Sequence, residues 1–239
     1  GLFFLVPLIY FYLTKKINFD YIKICFLIFS LIVLQGIIGW FMVQSGLVNN
    51  ITVSHYRLSI HLSTAIIIIS LIFWLLKNFD QKKNKVFFVL SKHNIPFLIL
   101  VFLIFLQIIF GAFVSGLDAG KIYQTWPLMG ESFFPNDVIL DNMVKYFEFD
   151  NHSLVQFYHR NLAYIIILYV LYLAFSIYRT KIVSLYKSLN ILIFFLFLQA
   201  LLGVFTLISN LNIYLASAHQ ITSVLLILSA LNLYYLRVK

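Results

Sequence analysis

A chain of 239 residues that is 62% hydrophobic and 10% charged cannot cover a water-facing globule with polar groups, so its composition excludes a soluble domain of this size. The single cysteine, Cys25 inside an apolar run, excludes a disulfide framework and a thiolate metal centre. A net charge of +9 does not point to nucleic acid, because the basic residues cluster in short segments between apolar runs, as in a membrane protein with a fixed orientation.

A helix needs about 20 apolar residues to cross a bilayer. The first apolar run, 2–14, is too short. It opens at Gly1, not Met, and the expectation is a truncated chain whose first helix has lost its outer end. Six longer runs follow, at roughly 22–43, 58–76, 95–115, 157–178, 185–208 and 213–236. Lys15, Lys16 and Lys23 follow the first helix; Lys77, Lys82, Lys83, Lys85 and Lys92 separate the third from the fourth. Arg179, Lys181 and Lys187 follow the fifth, and Arg237 and Lys239 close the chain. These are 13 of the 17 basic residues; the other side holds Arg57, Lys121, Lys145 and Arg160 with six of the eight acids. Basic segments stay on the cytoplasmic or matrix side. The expectation is a multi-pass protein of the bacterial inner membrane (the mitochondrial inner membrane in a eukaryote), with its N-terminus outside and its C-terminus inside. The outer loop at 116–156 is the longest and contains "GLDAGKIYQTWPLMG", with Gly116, Gly120, Pro127 and Gly130 as turn formers. It is read either as a functional loop or as a connector.

One pattern occurs three times: "LQGIIG" at 34–39, "LQIIFG" at 106–111 and "LQALLG" at 198–203. Gln precedes Gly by four residues, so both lie on one helical face. Gly lets a neighbouring helix approach and Gln can bond across the gap, which is also what plain helix packing would use. The helix after each carries a histidine near the outer boundary: His61, His159 and His219. Three copies argue for a duplicated Gln-helix and His-helix pair. The predicted fold is an all-α polytopic membrane bundle of two repeated four-helix halves, eight helices in the whole and about seven here. The fourth histidine is expected roughly one to five residues before Gly1, from the spacing of the others to their inner basic ends. The halves are assigned to 1–78 and 95–239, joined by a basic linker at 79–94.

Two neutral imidazoles on facing helices can bind one iron as a bis-His haem. Zinc needs further ligands close by, and a proton relay needs mid-membrane carboxylates; the helices supply neither. Arg160, beside His159, can pair with a haem propionate or snorkel to lipid phosphate, and Arg57, one turn before His61, has the same two readings. His93 is expected in the basic inner loop and His55 just outside its helix and off the His61 face; His152, seven residues before His159, is expected in the outer loop, or on the His159 face if the helix extends that far.

The stretches "GWFMVQSGL", "VSHYRLSIHLSTA", "GAFVSGLDAGKIYQTWPLMG", "VQFYHRNLAYI" and "AHQ" resemble the heme A synthase family of alphaproteobacteria and mitochondria over essentially the whole chain. The resemblance implies eight helices in two halves and oxidation of the C8 methyl of heme O to a formyl group, giving heme A for cytochrome c oxidase. It implies heme b (iron, bis-His) between His159 and His219 in the C-terminal half, and heme O as substrate in the N-terminal half, where His61 matches the second histidine. The family's first histidine and an outer-loop glutamate precede Gly1, and the cysteine pair of some members is missing. On this resemblance His61 is the catalytic candidate; His61, His159 and His219 are metal ligands; Arg160 and Arg57 are cofactor contacts. The implied partners are heme O synthase (protoheme farnesyltransferase), the cytochrome c oxidase assembly machinery, the lipid bilayer and a second copy in a homo-oligomer, with no nucleic acid. Asp118 is either an acid near the sites or a turn cap, and Tyr123 and Trp126 are either interfacial anchors or haem contacts. The alternatives are a bis-His b-type electron-transfer protein, an inactive truncated remnant, and a transporter suggested by the repeat alone.

Overall fold

The computed structural model describes residues 1–46, 53–139 and 143–238. Lys239, Asp141 and the middle of the long outer loop therefore lie outside the described residues. Among the described residues seven α-helices run in order: α1 Leu2–Leu13, α2 Phe19–Gly46, α3 His55–Asp80, α4 Ile95–Gly116, α5 His152–Arg179, α6 Val183–Ile208 and α7 Ile213–Arg237. Short 3-10 turns occur at Ala119–Lys121 and Met143–Phe147, and the described residues contain no strand beyond one isolated bridge between Met129 and Ser132. Helices α2 to α7 are each long and apolar enough to cross a membrane, so the chain is a polytopic helical membrane protein. Side chains such as Phe102 (62% exposed), Leu168 (66%) and Phe197 (64%) face outward, which only a hydrocarbon solvent accommodates without cost.

The helices exceed their apolar runs because polar caps extend them. The Asn151 side chain accepts from Leu154 N–H at 2.9 Å and starts α5 five residues before the expected run. His152 is therefore the first residue of a helix, exposed, and not a loop residue as the sequence suggested. His55 likewise begins α3 and is buried (6% exposed), where hydropathy placed it outside. Asn212 caps α7 by accepting from Tyr214 and Leu215 N–H. At their C-terminal ends α1, α3 and α5 share one terminator: Lys15, Lys82 and Lys181 each take a left-handed backbone (φ 52°, 49° and 53°) just past the helix. Lysine is unusual there, and the same device three times repeats the duplication seen in the sequence.

The chain forms two compact units, Gly1–Phe87 and Phe88–Lys239. In the first, α2 packs on α1 and on α3. In the second, α4 packs on α5 and α7, and α6 packs on α5 and α7, closing a four-helix bundle. Its core lies toward the basic end: Leu100, Ile104, Val170, Leu189, Leu192, Leu231 and Tyr234 are fully buried. The buried side chains of α6 stop at Leu192, and those of α7 begin at Thr222. Packing of α6 and α7 is thus looser at the level where Gln199 and His219 lie, whereas Leu154 and Val155 at the start of α5 are fully buried.

In the first unit, Asn78 closes the turn after α3. Its amide donates to Lys85 O at 3.0 Å and accepts from Lys85 N at 3.2 Å, and Trp74 Nε1 donates to the same carbonyl at 2.8 Å. Asn78 is 1% exposed, so its loss strands buried backbone groups. Asn78→Ala is expected to cost about 1–3 kcal/mol, read as a lower unfolding midpoint in detergent; an unchanged midpoint would remove the turn from the stability account.

Candidate functional site

Each Gln-helix packs on the His-helix that follows it, and each pair builds the same contact. A Cβ added at Gly39 would lie 3.1 Å from His61 Cε1; at Gly111, 3.2 Å from His159 Cε1; at Gly203, 3.0 Å from His219 Cε1. These glycines therefore admit an imidazole edge, a more specific role than the helix approach expected from sequence. The glutamine one turn earlier meets the same ring. Gln35 Nε2 lies 3.2 Å from His61 Nε2 and donates to the His61 carbonyl at 3.0 Å. Gln107 Nε2 lies 3.2 Å from His159 Nδ1 and 3.4 Å from Nε2, and donates to the His159 carbonyl at 3.0 Å. Gln199 Nε2 lies 3.3 Å from His219 Nε2, and His219 Nδ1 lies 3.2 Å from the Gln199 carbonyl. His159 on α5 and His219 on α7 belong to the same four-helix unit.

The donor set fits an iron porphyrin. Among the described residues no three of His, Cys, Asp and Glu come together as a metal-ion cluster. A porphyrin supplies the remaining nitrogens itself. His61 Nδ1, Gln35 Oε1 and Gln107 Oε1 are buried without a hydrogen-bond partner, and buried polar atoms ordinarily have one. Ring nitrogens held only by a glutamine amide can exchange that amide for a metal.

Arg160 faces elsewhere. Its terminal nitrogens donate to Tyr123 O at 2.8 Å, Thr125 O at 2.9 Å and Leu128 O at 3.3 Å. Gln156, one turn earlier, adds a bond to Tyr123 O at 2.8 Å. The guanidinium thus latches the outer loop onto α5, and its buried Nε and Gln156 Oε1 are the polar atoms left without a partner. Arg57, in the first unit, lies over the Phe41 ring at 4.4 Å from its centroid. Asp118 has a left-handed backbone (φ 55°) and makes no side-chain cap; its carboxylate pairs with Lys121 at 2.8 Å in an exposed ion pair. Trp126 Nε1 donates to the Tyr164 hydroxyl at 3.1 Å. His93 is exposed, and its carbonyl receives Arg237 Nε at 3.4 Å.

Sequence reasoning missed a second anchor of the same loop. The Tyr123 hydroxyl donates to Asp137 at 2.6 Å, and Ser153 donates to the other carboxylate oxygen at 2.7 Å. Partial burial pushes the Asp137 carboxyl up, but these two donors outweigh it and hold the group below the ordinary 3.8. Donating to this carboxylate in turn pushes the Tyr123 hydroxyl up, with burial adding to the effect. No motif marks Asp137 or Ser153; Gln156 sits within "VQFYHRN", three residues before His159, and was legible only as a neighbour.

A family model described as cytochrome oxidase assembly protein (COX15-CtaA) matches residues 1–231. A protein of Pelagibacter ubique named Heme A synthase is 44% identical over 235 residues, covering 96% of this chain and 67% of that protein. Proteins of the same name from Flavobacterium johnsoniae (36% identical, 95% of this chain, 67% of the relative) and from Wolbachia of Brugia malayi (38%, 97% and 68%) are similar over the same extent.

Two measurements check the loop anchors. Arg160→Ala should raise amide hydrogen exchange across residues 123–130 roughly tenfold, since charge-assisted bonds to three carbonyls are lost; equal exchange in both proteins would refute the latch. Because the Asp137 pKa is depressed on folding, its contribution holds above about pH 3.8 and fades as pH falls through the lower folded value. Loop protection should drop in that acid window, and Asp137→Asn should weaken protection at neutral pH and flatten the transition.

Proposed function

This chain belongs to the cytochrome oxidase assembly protein family, and from that premise we propose that it is a heme A synthase, an oxidoreductase converting the C8 methyl of heme O to a formyl group for cytochrome c oxidase. The observation that carries the proposal is the imidazole seated against glycine and glutamine in three successive helix pairs. His159 and His219, on α5 and α7 of one four-helix bundle, would hold heme b; His61, on α3, would meet heme O. When bound, the haem supplies one-electron redox chemistry that no side chain here provides.

The chain's own residues supply orientation and environment. Gln107 and Gln199 hold their rings by the amide, so each imidazole has a defined direction before any ligand arrives. Apolar packing below the histidines, from Leu162 and Ile166 on α5 to Leu226 on α7, excludes water from the inner side. The loop bound by Arg160 and Asp137 covers the outer end of α5. Within the same reading, a heme O synthase delivers the substrate, the chain lies in a bacterial inner or mitochondrial inner membrane, and the C-terminus faces the cytoplasm or matrix, because the basic corners Lys82, Arg179, Lys181 and Arg237 lie at that end of their helices.

Reduced-minus-oxidised spectra of the purified chain should show a b-type haem, and His159→Ala or His219→Ala should each remove most of it. Co-expression with a heme O synthase should yield heme A in the pyridine-hemochrome assay of extracted haem. Accumulation of heme O alone, with the b-type spectrum intact, would leave a haem carrier and reject the synthase.

A further inference from the structure

The third Gln–His contact differs from the other two. At His219 an additional hydroxyl is involved: Thr222 Oγ1 lies 2.5 Å from Gln199 Oε1. The corresponding residue three positions after His61 is Thr64, whose hydroxyl bonds its own helix at Ile60 O, 2.8 Å away. Three positions after His159 stands Leu162, which has no hydroxyl. Gln35 Oε1 and Gln107 Oε1 are correspondingly without a partner, and Gln199 Oε1 has one.

The direction of every proton in the third contact follows from a single fixed point. A backbone carbonyl can only accept, so the Gln199 carbonyl, 3.2 Å from His219 Nδ1, requires the proton on Nδ1. In the neutral ring Nε2 is then a bare acceptor, and the group 3.3 Å from it must donate, which puts the Gln199 NH₂ there. Gln199 Oε1 consequently points at Thr222; the hydroxyl also lies 2.9 Å from Ala218 O and 3.1 Å from His219 O of its own helix, and its one proton goes to the amide oxygen, the nearest of the three acceptors. The reverse amide orientation would set Oε1 against the Nε2 lone pair, or set the Nδ1 lone pair against a carbonyl. Gly203, four residues after Gln199, lets the ring come close enough to that carbonyl to start the chain of bonds.

We propose that Thr222 and Gln199 are positioning residues that lock His219 in the Nδ1–H tautomer, leaving Nε2 as its ligand nitrogen. The inference rests on the reading of His219 as a haem ligand. A metal arriving at Nε2 displaces only the amide N–H, and the Nδ1–H bond to the Gln199 carbonyl persists and continues to orient the ring. His159, with Leu162 in place of the threonine and one amide nitrogen shared between both ring nitrogens, has no such lock.

The test is ring-¹⁵N histidine NMR on the full chain in nanodiscs before haem loading, with the His219 signals assigned by their loss in His219→Asn. The wild type should show Nδ1 protonated and Nε2 bare. Thr222→Val should raise the Nε2–H form about fivefold, the equivalent of one hydrogen bond of about 1 kcal/mol, moving the two ¹⁵N shifts toward each other. Thr222→Ser should restore them, and His159 should not respond to either change. A wild-type His219 protonated on Nε2, or one that ignores Thr222→Val, overturns the lock. A locked His219 in a protein whose haem content survives His219→Ala would instead leave the tautomer assignment standing and reject the ligand reading beneath it.

Discussion

The seating of an imidazole against the backbone of a neighbouring helix is the constraint on which the arrangement depends. Only a residue without a side chain leaves room for it, since a Cβ at Gly39, Gly111 or Gly203 would come within 3.0–3.2 Å of the ring. In lipid a polar ring cannot turn to water, so it needs a partner from protein. The glutamine four residues before each glycine is that partner, because this spacing sets both on one face about one turn apart. Glycine admits the ring and glutamine bonds it. The pair repeats because the physical problem repeats with each histidine.

The adjacency of His159 and Arg160 follows from the same geometry. Successive helical residues point about 100° apart, so one can enter the bundle while the next leaves it. His159 turns toward Gly111 and Gln107 of α4, and Arg160 turns to the carbonyls of residues 123, 125 and 128. Arginine suits this place because its planar head carries several donors in fixed directions, and three carbonyls of an irregular loop need that many. The cost of burying the cation is offset by those bonds, and the loop is tied to the helix turn that bears the histidine. Asp137 ties the return of the loop to Ser153 at the start of the same helix, so α5 carries the histidine and both loop anchors.

Much of this was legible in the sequence, for reasons that can be stated. Spans such as 95–115 are visible because hydrocarbon tolerates few charges, and the structure extends that one by a single residue to Gly116. The histidines were legible as a set because duplication preserved their distance from the basic corners. The start of α5 was not, since hydropathy is blind to Asn151, whose single accepted N–H lengthens the helix past His152. The function of the glycines was half legible: their spacing marked a shared face, but nothing in "LQIIFG" says whether backbone or imidazole lies opposite. Arg160 was read against an external anion because its partners are main-chain carbonyls, which leave no trace in the identity of residues 123–128. Asp137 was invisible for the usual reason in loops, that a pair closed across 14 residues to Tyr123 has no period to betray it.

The three helix pairs have diverged in what completes them. A buried amide oxygen without a donor costs on the order of 1–3 kcal/mol, and Gln35 and Gln107 each carry one. Thr64 and Thr222 both reach a carbonyl of their own helix, Ile60 O and Ala218 O, and the Thr222 hydroxyl in addition meets Gln199 Oε1. The difference therefore does not lie in the residue type at that position but in how far the hydroxyl can reach toward the neighbouring helix. The His219 ring thus meets an amide completed by Thr222, whereas the His61 and His159 rings meet an amide whose oxygen has no partner. One repeated contact thus engages a hydroxyl at His219 and none at His61, although a threonine stands three residues after each of these histidines.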